Sequence, residues 1–155
     1  MRRVTQVSEQ AGYEEVLADA GQAGIYQLPA DDAALEAAAL GGDFAVWRVD
    51  LAGVRGKQEL LDAVARELAF PEWFGSNWDA FEDCLTDLAW CVASGYVLIL
   101  ENAGGFAAAD PDVFETALEV FDAAAEYWYD EDVPFWVFIG GVEFSQFDIP
   151  ALGEE

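Results

Sequence analysis

Asp79 and Asp83 are the residues whose type and spacing are best suited to chemistry. They stand four residues apart in a segment with helical periodicity, so their carboxylates are neighbours one turn apart. Two nearby carboxylates divide acid and base work when their pKa values are split, as in glycoside hydrolysis. Here both fall on the polar side of one helix, where no cleft desolvates either group. The chain has no histidine, so no nucleophile–histidine pair can form. It has no glycine-rich phosphate loop, and Gly104-Gly105 and Gly140-Gly141 read as turns. The pair is expected to bind rather than to react, by accepting hydrogen bonds from arginine and lysine. No catalytic residue, cofactor or metal ligand is expected.

The surroundings of this pair point the same way. At 100° per residue Phe81, Cys84, Leu85 and Leu88 share one narrow arc, and Asp79, Glu82, Asp83, Thr86 and Asp87 lie opposite. Just upstream, Trp73 and Phe74 precede Gly75. Large aromatics beside a glycine and an acidic face have the composition of an interface anchor. Trp78 borders the apolar arc and reads as packing between helices. Asn77 is expected to fix the turn or cap the helix through its side-chain amide.

Composition sets the limits. The chain of 155 residues fits one domain, and with 54% hydrophobic residues it can build a core. Six basic residues against 31 acidic ones leave a net charge of −25. Such a field repels nucleic acid and anionic membranes and draws in cationic partners. Simple solubility, or adaptation to salt or acidity, accounts for a high overall charge equally well, so the placement of the acids carries the argument. No run approaches the ~20 apolar residues of a membrane span. Met1-Arg2-Arg3 is followed by polar residues where a signal peptide would be apolar, so a cytoplasmic location is expected. Cys84 and Cys91 fit neither a metal motif nor a disulfide framework, and Cys84 falls on the buried arc.

Around the site, short apolar runs predict strands at 24–28, 44–49, 96–100 and 135–139, the run at 96–100 being unbroken as in a buried central strand. Helices are predicted over 31–40, over 57–70 ended by Pro71, over 76–88, and from Asp110–Pro111 to about Tyr129, with a weaker one at 13–20. Strands joined by helical crossovers favour an α/β fold: a small, mostly parallel β-sheet covered by helices. Three strands form its core and the first run is able to add a fourth. We divide the chain into an N-terminal extension (1–43), a central domain (44–141) and a C-terminal tail (142–155).

Pro71-Glu72-Trp73-Phe74-Gly75-Ser76-Asn77-Trp78-Asp79-Ala80, continuing to Asp83-Cys84-Leu85, resembles the signature of the barstar family of intracellular ribonuclease inhibitors. The resemblance extends from about Phe44 to Ile139. It implies a parallel sheet packed by helices and a loop-plus-helix surface that blocks the active site of a secreted ribonuclease. It also implies that Asp79 and Asp83 face the enzyme's basic cleft, with Asp83 standing in for a substrate phosphate. Trp73 and the Gly75 backbone would reach the enzyme too. The partner-binding set is then Trp73, Phe74, Gly75, Asn77, Asp79, Glu82, Asp83 and Thr86, and the partner is a basic extracellular ribonuclease or nuclease toxin held as a heterodimer. Glu82 stands where the family's best-known member has an aromatic. Ala123, beside Asp122, stands where that member contributes a further acid. A non-inhibitory acidic module for another basic partner is the alternative.

Overall fold

The computed structural model describes residues 12–71, 77–89, 91–142, 147 and 149–152. Residues 12–17 form helix α1, and β1 (Ile25–Gln27), α2 (Asp32–Gly41) and β2 (Ala45–Asp50) follow. Then come α3 (Lys57–Glu67), α4 (Trp78–Leu85), β3 (Tyr96–Glu101), α5 (Gly104–Ala109), α6 (Pro111–Asp130) and β4 (Phe135–Ile139). The four strands make one parallel sheet in the order β1-β4-β3-β2. This is the α/β architecture expected, and the N-terminal run does supply the fourth strand. Strand–helix–strand 24–49 does not make sheet neighbours, however: α2 carries the chain from one edge of the sheet to the other.

The alternation along the strands explains why both faces are covered. Tyr96, Leu98 and Leu100 with Phe135, Val137 and Ile139 face one core, which α3, α4, α5 and α6 close. Val97, Ile99, Trp136 and Phe138 face the second, closed by Leu17 of α1 and by Leu35, Ala38 and Ala39 of α2. Every residue of β4 is buried, the mark of a parallel strand covered on both sides. The Trp136 indole N–H donates to the Leu17 carbonyl at 3.0 Å, fixing α1 to the sheet.

The edge at β1 is not bare. Gln27 donates its backbone N–H to Pro150 O at 2.8 Å and its side-chain amide to Ile149 O at 2.8 Å, and a bridge links Gln27 to Ala151. The apolar end of the chain thus folds back, and Phe147 meets the Phe114 ring edge-on at 4.7 Å. Across the sheet, Arg48 of β2 joins Glu36 (2.7 Å) and Asp32 (3.3 Å) of α2 and Glu101 of β3 (2.9 Å). Burial works to lower the Arg48 pKa, but its hydrogen bonds to Glu36 and Asp32 outweigh this and raise it.

Two expected boundaries shift for local reasons. Helix α3 stops at Glu67, not at Pro71. Ala69 takes a left-handed φ of 55°, and Phe70 N–H closes on Ala65 O at 2.9 Å, a Schellman turn completed before the proline acts. Gly104 and Gly105 do not form a turn; they open α5. A Cβ at Gly104 would meet the Gly141 carbonyl oxygen at 2.2 Å, so the loops after β3 and β4 can touch only because Gly104 lacks one. Gly104→Ala should therefore destabilise the protein by about 1–3 kcal/mol, measured as a lower urea midpoint at unchanged slope.

Candidate functional site: an unpaired acidic helix

Helix α4 begins where Asn77 turns the chain. The backbone of Asn77 is extended, and its side-chain oxygen accepts from the Ala80 N–H at 2.8 Å, the N-cap expected of it. Ser76 lies outside the described residues. The helix ends at Leu85 rather than Leu88, since Thr86 caps it and Leu88 adopts a left-handed φ of 48°. Leu88 is nevertheless buried together with Phe81, Cys84 and Leu85, so the apolar arc read from the sequence is the one that meets the core.

Eight residues are too few to hold a helix in water unaided, because isolated helices below ~12–15 residues are marginal. Packing supplies the difference. The Phe81 ring lies edge-on to Phe121 of α6 at 5.8 Å, to Phe70 at 6.0 Å and to Trp78 at 6.0 Å. Each such aromatic pair contributes about 0.5–1.5 kcal/mol beyond its burial. Trp78 is half-buried with the Lys57 ammonium 5.6 Å from its ring centre, so it packs between helices as expected. At the far end the Trp128 indole of α6 donates to Leu85 O at 2.8 Å. That bond captures a carbonyl that the end of the helix leaves without an internal partner.

What α4 turns outward is charge. Asp79, Glu82, Asp83 and Asp87 are exposed and Thr86 is half-buried. Asp87 accepts from the Ala89 N–H at 3.3 Å. Asp79, Glu82 and Asp83 have neither an ion pair nor a side-chain hydrogen bond among the described residues. Their like-charge neighbours destabilise the helix by roughly 0.2–0.5 kcal/mol per pair. The Asp79 position in the first turn is favoured by the helix dipole. The Thr86 hydroxyl lies 2.9 Å from Glu82 O and donates back into the helix, which leaves its oxygen free only to accept.

Of the expected partner-binding residues, Asn77, Asp79, Glu82, Asp83 and Thr86 thus share α4 or its cap. Trp73, Phe74 and Gly75 lie outside the described residues. Asp122 is exposed on α6 and borders a cleft with Ile25, Ile149 and Pro150. It sits about 100° around the helix from Phe121, which meets α4. Among the described residues no three acids or cysteines gather to hold a metal ion, and no helix is long and apolar enough to cross a membrane. The link from Trp128 to Leu85 has no signal in the sequence beyond a place in the α6 apolar stripe.

Fold and site together define a small parallel α/β protein that displays one short acidic helix, held from beneath by aromatic packing. The model of the family described as Barstar (barnase inhibitor) matches residues 44–140, and the chain belongs to that family. Comparison with curated proteins gives no match. Among solved structures, the chain is similar to one in the structure of Drosophila ORC bound to DNA. The two are 13% identical with a TM-score of 0.54, over 88% of this chain and 37% of that one, a likeness of fold alone.

Two outcomes follow from the local chemistry. Asn77→Ala should cost about 1 kcal/mol in denaturant unfolding, and Asn77→Asp should restore most of it. Burial holds the Cys84 thiol up at about 11, with Asp87 and Asp83 adding to the effect, whereas Cys91 is half-buried. A raised thiol pKa means that the folded state keeps its proton, so this contribution to stability is present below the unfolded thiol's pKa and is lost as pH rises through the folded one. Near pH 8 a thiol reagent should titrate one cysteine in the folded protein and two in urea.

Proposed function

We propose that the protein is an inhibitor that binds a basic ribonuclease or nuclease toxin and covers its active site with α4 and the loop before it. The observation that supports this most directly is the set of exposed carboxylates on Asp79, Glu82 and Asp83, which no cation of the described chain neutralises. Family membership supports a ribonuclease as the class of partner.

A nuclease cleft is cationic because it binds phosphates, so carboxylates fixed on a rigid helix accept the arginine and lysine hydrogen bonds meant for the substrate. In this reading Asp83 takes the place of a phosphate, Asp79 and Glu82 pair with flanking cations, and Asn77 and Thr86 line the contact. Trp73, Phe74 and Gly75 form its aromatic rim. The charge of −25 steers the encounter from a distance, and salt screens it. Residues 44–141 act as the binding domain, β1 of the extension 1–43 adds the fourth strand of its sheet, and residues 149–151 of the tail 142–155 line the β1 edge. The partner is an extracellular enzyme, and the inhibitor acts in the cytoplasm as an immunity protein, forming a heterodimer with any copy left inside the cell.

The test is RNA cleavage by a panel of basic secreted ribonucleases, barnase among them, with the purified protein added. Inhibition at one-to-one stoichiometry is expected, weakening with salt. Asp83→Asn and Asp79→Asn should each weaken binding at least ~30-fold, while Asp112→Asn, on exposed α6 surface, should change it less than ~3-fold. Binding that follows total charge and ignores which aspartate is removed would instead identify a non-inhibitory acidic module.

A further inference from the structure

The acidic face does not end with α4. Tyr127 of α6 is 43% exposed, and its ring stands edge-on to the Trp128 indole with centroids 5.2 Å apart. That same indole donates to Leu85 O, in the last turn of α4, at 2.8 Å. Tyr127 is thus joined through Trp128 to the last turn of α4 at Leu85, next in the chain to Thr86. The support beneath it is firm, because Trp128 also packs on the buried Tyr96 ring at 5.2 Å and its carbonyl accepts the Val133 N–H at 2.8 Å. A large aromatic left partly in solvent and braced from behind, on a helix packed against the one that exposes Asp79, Glu82 and Asp83, has the chemistry of an anchor for a cationic side chain.

We propose that Tyr127 is a specificity-determining contact of the same binding surface, its ring receiving an arginine guanidinium of the basic partner. The inference rests on the inhibitor reading above. Arginine suits the place because a planar guanidinium stacks on an aromatic face while its N–H groups reach neighbouring carboxylates, and it sheds water more readily than an ammonium. The arrangement is particular to one flank of α6. Tyr129, two residues on and 55% exposed, borders a cleft with Ala20, Gly21, Ala23 and Asp122 instead, on the side towards β1. The chain therefore carries its own control: two exposed tyrosines on one helix, only one of them joined through Trp128 to α4.

The experiment measures the affinity of the full chain for each ribonuclease that it binds in the panel, barnase included, for four variants. Asp83→Asn tests the underlying reading. Tyr127→Ala should weaken binding about ten-fold, mainly through faster dissociation, with the variant still fully folded by circular dichroism at the temperature of the binding assay. Tyr127→Phe should bind like the parent, because the ring and not the hydroxyl makes the contact. Tyr129→Ala should also bind like the parent. If Asp83→Asn abolishes binding while Tyr127→Ala is silent, or if both tyrosine variants weaken it equally, this inference alone is overturned. If no ribonuclease binds, or Asp83→Asn is silent, the inhibitor reading fails and Tyr127 loses its role with it.

Discussion

A helix of eight residues with three outward acids, and a fourth just past its end, has no reason to exist alone. Its length is below what water tolerates, its charges repel, and its last acid sits at the unfavourable end of the dipole. Everything that makes α4 persist lies beneath it: Phe81 wedged among Phe70, Trp78 and Phe121, and the Leu85 carbonyl held by Trp128. The acidic helix is thus a dependent feature, positioned by aromatic packing on α6 and, through α6, by the sheet. Because the support is apolar and buried, salt that weakens the attraction of the acids for a partner leaves their placement intact.

The distribution of cations fits the same logic. The sequence contains six, and Arg48 is enclosed by Glu36, Asp32 and Glu101 on the far side of β2 from α4. Lys57 rests on the Trp78 ring, and neither Arg55 nor Arg66 forms an ion pair among the described residues. Internal pairing is spent on tying α2 to the sheet, and the α4 carboxylates are left to the surroundings. A face of this kind is costly for an isolated molecule and is relieved when a cationic surface arrives.

Much of this was legible in the residues. The unbroken apolar runs of the buried strands, the Asp110–Pro111 start of α6 and the arc of Phe81, Cys84, Leu85 and Leu88 followed from run length, capping chemistry and helical period, and the structure has them there. The cap on Asn77 was readable for the same reason. What stayed hidden depends on contacts between distant segments. Nothing local says that Ala69, with its Cβ, will take a left-handed angle, or that Gly104 opens a helix at a place where the Gly141 carbonyl leaves no room for a Cβ. The opposite-edge placement of β1 and β2, and the bond from Trp128 to α4, are likewise set by the assembled sheet and not by neighbouring residues.

The register of Ile25 against Val137 couples the first strand made to the last. During vectorial synthesis β1 leaves the ribosome early and finds no partner until β4 has emerged, and its outer edge stays bare until residues 149–151 arrive. Closing so long a loop is slow compared with forming local helices. The sheet beneath α6, and with it the rigid base of α4, is therefore complete only after residues 149–151 have emerged.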